Sequence, residues 1–385
     1  MIHETPEHGL HLPTLTIAGF RGIRELSIGR LGRVTLLTGN NGVGKTTVLE
    51  AVRVFAARGH QAVLSSLLRQ RDEYAAEADD DDDKIRALDF AALFFGRSPS
   101  QKRISIGPGA IAHQLTIEEV ALTEEQLSLV EGLIPELPSD GTVRSLLSRF
   151  EGAKQILPFF LMDAGSNADG RYTKAEPHAA RVLGRAMGAE KSLPGIRCRS
   201  LGPGVLANNE IAHLWKPIAL TDDEDAAVEA LRMVVGDGVH RAAVVAEHPR
   251  YRHRTQPIVR FKGDPAPVPL KSLGDGAVRL FGVALALANS RHGFLVIDEA
   301  ENGIHHSIQK RFWRMVLETA DANNVQVLAT THSRDCVEGF ARAAAERQDI
   351  EGTLVRINRR NGEMWAVEYP EKDMLIAAEQ GIEVR

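Results

Sequence analysis

The chain has 385 residues, 43% hydrophobic and 25% charged, enough to bury a large core and to divide into two or three lobes. Its net charge of −5 argues against tight non-specific nucleic-acid binding by the whole surface, while a local basic groove stays open. Two cysteines, Cys198 and Cys336, lack metal-ligand spacing, the N-terminal MIHETPEHGLHLP has no signal-peptide pattern, and no run nears the ~18 apolar residues of a membrane span, so a soluble, cytoplasmic protein without a membrane partner is expected.

In chain order, residues 15–17 and 23–28 read as strands around the turn Gly19-Phe20-Arg21-Gly22, and 34–38 as a strand buried on both faces. A helix follows over 46–57, closed by Arg58-Gly59, and a second, Leu-containing helical stretch runs on to 71. The run Glu77-Ala78-Asp79-Asp80-Asp81-Asp82-Asp83 repels itself and is read as a solvated loop, with a cation or partner contact as the alternative. Residues 87–95 are apolar enough for a buried helix, and 103–106 pairs with 114–117 across Gly107-Pro108-Gly109. From 118 to 188 the pattern reads as irregular helix, broken at Pro135, Pro138-Ser139-Asp140-Gly141 and 164–170, and 194–204 reads as a loop. Thr221-Asp222-Asp223-Glu224 opens a helix through 233, and strands 241–246 and 258–261 flank a polar connection. Neither sustained heptads nor a fixed-period repeat occurs.

The chemistry centres on Gly39-Asn40-Asn41-Gly42-Val43-Gly44-Lys45-Thr46, which matches G-x-x-x-x-G-K-[ST] between a buried strand and a helix continuing through Thr47. The glycines let the backbone fold around a phosphate chain with its N–H groups inward, and the helix N-terminus adds partial positive charge. Lys45 is then expected to meet the β and γ phosphates and Thr46 to coordinate Mg²⁺, giving ATP and Mg²⁺ as the cofactors. Residues 294–297 form an apolar strand that ends in Asp298 and Glu299, suited to hold the Mg²⁺ shell and to polarise an attacking water. Strand 325–329 ends in Thr330-Thr331-His332-Ser333; His332 can donate to the γ-phosphate, where an isolated histidine would be structural. Ser272-Leu273-Gly274-Asp275-Gly276 precedes an apolar helix over 277–288 and is either an anion cradle or a plain N-cap.

Taken in order, these segments resemble the ATP-binding-cassette ATPases, and within them the soluble SMC, RecF and OLD-like branch. The resemblance rests on Phe20-Arg21-Gly22, the 39–47 loop, 272–276, Asp298-Glu299-Ala300-Glu301-Asn302-Gly303-Ile304-His305 and Thr330-Thr331-His332-Ser333. The last two are worded as in OLD-like ATPases of bacterial defence. The fold this implies is an α/β P-loop NTPase of ABC-ATPase type: a mixed sheet with an antiparallel β subdomain and an inserted, largely helical lobe. Residues 1–60 and 268–385 would form the discontinuous nucleotide-binding core, joined by the strands near 103–117, and 61–267 the mainly helical insertion.

The resemblance further implies that two lobes sandwich ATP, so that Ser272, Gly274, Asp275 and Gly276 close a site held by a second protomer. Arg21 would touch the nucleotide, and His305 stands where cassette ATPases carry an aspartate that speaks across the dimer. Gln101, Gln114 and Gln155 are candidates for the glutamine that reports the γ-phosphate to the helical lobe. Many OLD proteins add a Toprim nuclease. Here the residues after His332 offer a helix, strands 354–357 and 364–369 joined through Asn361-Gly362, and a last helix from 371, without a Glu…Asp-x-Asp set, so the nuclease is expected to be a separate polypeptide.

Arg250-Tyr251-Arg252-His253-Arg254 is read as a solvated loop, with a phosphate-backbone contact as the alternative. His305-His306 lacks a third ligand for zinc. The expected function is a regulatory ATPase, dimeric or larger, controlling a nuclease effector in anti-phage defence. A RecF-like DNA repair ATPase is the alternative and a transporter ATPase the third reading.

Overall fold

The computed structural model describes residues 9–74, 88–97, 103–130, 143–162, 171–174, 177–189, 192–246 and 255–369, with Met374 and Ile376. The acidic run at 77–83, Gln101, the breaks at 135–141 and 164–170, the basic segment 250–254 and the start of the last helix at 371 lie outside the described residues.

β1 (Leu15–Phe20) and β2 (Ile23–Ile28) form the first hairpin, and β3 (Val34–Thr38), buried at every residue, leads into α1 (Lys45–Ala56) and α2 (Gln61–Arg69). The buried helix expected at 87–95 is instead a short 3-10 turn over Phe90–Leu93, beside Gly96 at φ 70, a left-handed conformation that interrupts any α-helix. β4 (Arg103–Gly107) and β5 (Leu115–Ala121) pair as expected. Then follow α3 (Glu124–Ser128), β6 (Val143–Phe150), β7 (Ala153–Met162), β8 (Arg171–Lys174), α4 (Pro177–Ala186), β9 (Cys198–Leu201), α5 (Asn208–Trp215) and α6 (Asp222–Val235). β10 (Val239–Ala246), β11 (Thr255–Phe261) and β12 (Val268–Pro269) precede α7 (Asp275–Ala288) and β13 (Phe294–Ile297). The chain continues through α8 (Gln309–Ala322), β14 (Gln326–Thr330), α9 (Arg334–Glu346), β15 (Gly352–Arg360) and β16 (Glu363–Tyr369).

The segment expected as a mainly helical insertion therefore carries strands β4 to β11 as well as helices α2 to α6. β6 escaped the period-2 rule because Ser145, Leu146, Leu147 and Ser148 are all buried, so no alternation is written into it. The expected loop 194–204 contains β9, which pairs in parallel with β13. Its four residues include Arg199 and lie among Pro194, Gly195, Gly202, Pro203 and Gly204, so only the distant partner strand makes it a strand.

The six-stranded sheet has the order β16-β15-β3-β14-β13-β9, parallel except for β16, and the seven-stranded sheet the antiparallel order β2-β1-β4-β5-β6-β7-β8. One core lies around α1, between the antiparallel sheet and one face of the parallel strands, and includes Phe20, Val52, Ile117, Phe294 and Val355. On the opposite face, Phe312, Trp313, Val316 and Phe340 of α8 and α9 pack with Leu280 and Leu287 of α7 against Val34, Leu295 and Val327. A third cluster joins α5, α6 and α7 to the β10-β11-β12 sheet. This covering of both faces explains the uninterrupted apolar runs of β3, β13 and β14. Parallel strands deliver their carboxyl ends to one rim, where an α/β sheet takes its ligand.

The β9–β13 seam tolerates no side chain at Gly293, where a Cβ would lie 2.2 Å from the carbonyl oxygen of Arg197. Gly293→Ala should therefore cost about 2–3 kcal/mol in denaturant unfolding. An unchanged midpoint would contradict that close approach.

Candidate functional site

At the rim, Gly39, Gly42 and Gly44 have φ of 133, 75 and 109, and a Cβ on Gly39 would meet Ile357 O at 2.3 Å. The loop thus curls only because its first residue is glycine, with β15 pressed against it. Asn40, Asn41 and Gly42 are exposed, while Val43, Lys45 and Thr47 are buried. Lys45 Nζ donates to Gly39 O at 2.7 Å and Asn40 O at 3.0 Å, and lies 3.4 Å from His332 Nδ1. An ammonium can only donate, so His332 Nδ1 accepts there. Burial pulls the Lys45 ammonium below its ordinary range, an effect that the Asp298, Glu301 and Glu299 carboxylates only partly offset. A cleft of about 370 Å³ opens here, lined by Asn40, Asn41, His332 and Ser333 among others.

Neighbouring strand ends bring the carboxylates to the loop. Thr46 Oγ1 donates to Asp298 at 3.1 and 3.3 Å. Thr330 Oγ1 donates to Asp298 Oδ1 at 2.5 Å and accepts from Glu299 N at 2.8 Å. Glu299 has φ 48, a strained conformation for a residue with a side chain. Its carboxylate accepts from Asn302 Nδ2 at 2.6 Å, and Glu301 accepts from His332 N at 2.7 Å.

Lys45, Thr46, Asp298, Glu299 and His332 are therefore one cluster. The 272–276 turn stands at its margin: Ser272, Gly274 and Asp275 are exposed at the start of α7, and a Cβ on Gly276 would lie 2.5 Å from Gly303 O in the loop after the carboxylates. His305 and His306 are exposed with rings 4.1 Å apart, and among the described residues no group of three or more His, Cys, Asp or Glu side chains could hold a metal.

Arg21, expected at the nucleotide, is paired with two acids in this structure. Its buried guanidinium lies 2.9 Å from Glu50 and 2.6 Å from Glu73, held there by a turn residue at φ 52. Two acids distant in sequence satisfy its charge. Burial pushes the Glu50 carboxyl up, and Arg21 and Arg71 hold it down. Of the candidate glutamines, Gln114 donates to Pro108 O, and Gln155 accepts from Leu193 N.

Thr330 and Asn302 lie inside the 330–333 and 298–305 motifs, where no local pattern marks their roles. Arg279 carried no signal at all, being a lone cation in the apolar α7. It is 2% exposed, and its forked guanidinium donates to Gly202 O, Gly204 O, Asp298 O and Glu299 O. One side chain thus ties the ends of β9 and β13 together from α7.

The donor set fits ATP and Mg²⁺. The glycine cradle and Lys45 would hold phosphates; Thr46 and Asp298, already in contact, offer the hydroxyl and carboxylate oxygens such a cation takes, its remaining ligands coming from phosphate and water. When bound, Mg²⁺ would supply charge neutralisation at the phosphates.

Strand order, phosphate loop and carboxylate-tipped strand define a P-loop NTPase of the ABC-ATPase type, and parts of the chain match ATPase domains of the AAA kind. Residues 221–335 match the family described as "AAA domain, putative AbiEii toxin, Type IV TA system", and 14–60 one described as "AAA domain". Uncharacterized protein MJECL11 of Methanocaldococcus jannaschii is 35% identical over 91 residues, 24% of this chain and 78% of that protein, and the chain belongs to one family with it. MJECL10 of the same organism is 35% identical over 60 residues, 15% of this chain and 27% of that protein. Among solved structures, the SMC head domain from Thermotoga maritima has TM-score 0.43 at 16% identity, covering 94% of this chain and 99% of that one. The Smc head of Pyrococcus furiosus bound to the C-terminal domain of ScpA has TM-score 0.47 at 13% identity, covering 96% and 99%.

Arg279→Met should lower ATP turnover about 100-fold through misplacement of the Glu299 backbone, while leaving ATP affinity within about threefold, and Arg279→Lys should recover part of the rate. A steady-state assay paired with equilibrium binding checks this; loss of affinity equal to the loss of rate would contradict the positioning role.

Proposed function

We propose that the chain is a cytoplasmic, ATP-hydrolysing regulatory subunit whose nucleotide-driven dimerisation controls a separate effector, a nuclease of Toprim or other type, in bacterial anti-phage defence. The observation that carries this reading is the grouping of Lys45, Thr46, Asp298, Glu299 and His332 at one rim, with Ser272, Gly274 and Asp275 exposed at its margin. Such a site holds a nucleotide from one side and leaves an exposed, small-residue helix start for a second copy. The type IV TA system in the matched family's description is in keeping with a two-component defence role.

In this reading Glu299 draws a proton from the attacking water. Asn302 and the left-handed backbone aim its carboxylate, and Thr330 keeps Asp298 from drifting away. His332, with Nδ1 turned to Lys45, keeps Nε2 for a donor role at the phosphate.

Glu299→Gln should cut turnover by about 100-fold or more while still binding ATP, and should shift the protein to a dimer on sizing chromatography with ATP. No shift would count against the two-protomer closure. Lys45→Ala should abolish ATP binding; undiminished binding would refute the site. Turnover stimulated by DNA without any partner would favour the RecF-like alternative.

A further inference from the structure

A second cleft, of about 780 Å³ and so about twice the volume of the one beside the phosphate loop, runs along β9, the edge strand of the parallel sheet. α1 and α2 wall it on one side and α5 on the other, with Leu201, Leu206 and Leu214 as apolar lining. Arg53, Arg199 and His213 also line it, against one acid, Glu210.

The cations here lack a dedicated counter-anion among the described residues. Arg199 Nε is buried without a hydrogen-bond partner. Arg53 donates to the side-chain oxygen of Gln70 at 3.0 Å, and burial pulls its guanidinium below the ordinary range. Glu50, the carboxylate nearest in charge to Arg53, is already shared between Arg21 and Arg71. Glu210 accepts from Ala207 N at 2.7 Å at the start of α5. Cys198 is no substitute, because burial pushes its thiol up to about 12 and keeps it neutral. Partly desolvated guanidiniums without an anion favour one supplied from outside, and their forks match the oxygens of a phosphate or carboxylate. The volume lies in the range of small-molecule sites, and the leucines suit an apolar body behind the charged head.

The same strand leads to the rim. Leu201 O accepts from Asp298 N at 2.9 Å, and Gly202 O and Gly204 O share the Arg279 guanidinium with Asp298 O and Glu299 O. We propose that this cleft binds a small organic anion, an oxyanion head on an apolar body, and that its occupation is transmitted along β9 to Glu299. The transmission rests on the hydrolysis reading above; the binding does not.

Isothermal titration of the full chain at two temperatures, with phenyl phosphate and benzoate as probes, tests it. One site is expected, with inorganic phosphate and benzyl alcohol each at least about tenfold weaker because each offers half of the ligand, and the tighter of the two probes identifies the head group. Arg199→Gln and, separately, Arg53→Gln should each weaken binding at least about tenfold with an unchanged melting temperature. The saturating probe should change ATP turnover at least about twofold in the native chain and not in Arg199→Gln. Affinity unaltered in both variants, or no heat with either probe, overturns the site. Binding that leaves turnover unaltered overturns the transmission. Arginine-dependent binding to a chain that hydrolyses no ATP upholds the cleft and rejects the hydrolysis reading.

Discussion

The hydroxyl of Thr330 is the joint on which the rim depends. Buried at 1% exposure, it accepts from the Glu299 amide and donates to the Asp298 carboxylate, so β14 fixes the two acidic residues that β13 delivers. Its neighbours complete the weld: Ala300 N donates to Thr330 O, and Thr331 N to Leu37 O of the strand feeding the phosphate loop. Three strand ends are thereby locked in one register. Valine, isosteric with threonine, would keep the packing but leave the Glu299 amide without its acceptor.

Around that joint the site is a balance of buried charges. Lys45 and Arg279 both have their proton affinity lowered by burial, and the same three carboxylates, Asp298, Glu299 and Glu301, offset only part of that. They are held differently. Lys45 faces loop carbonyls that a phosphate chain could replace, whereas Arg279 is committed to carbonyls of the strand ends. The first is a ligand-seeking cation and the second a structural one, although both sit beside the same acids.

Much of this was legible in the sequence where local pattern and global fold agree. The apolar runs of β3, β13 and β14 mark buried parallel strands, and Asn361-Gly362 turns the β15–β16 hairpin with φ of 53 and 85 as that dipeptide requires. What stayed hidden was set by distant partners. β9 is a strand because β13 lies beside it, and β6 is buried in a run that erases its alternation. The pairing of Arg21 with Glu50 and Glu73 was hidden because no local pattern connects those two acids to it. Arg279 gave no sign because what it binds is main chain, which any sequence supplies.

Helix α1 joins these regions in a way that reaches past the rim. It starts at Lys45, carries Glu50 to Arg21 of the β1–β2 turn, and passes Arg53 to the β9 cleft. Just beyond its end, Arg58 is wedged between the rings of Phe55 and Phe150 while its carbonyl accepts from Ser148 of β6. At 1.5 Å per residue the helix is about 18 Å long, and ten of its twelve residues are buried. Buried on almost every side, it is a single strut from the phosphate loop to the core of the antiparallel sheet.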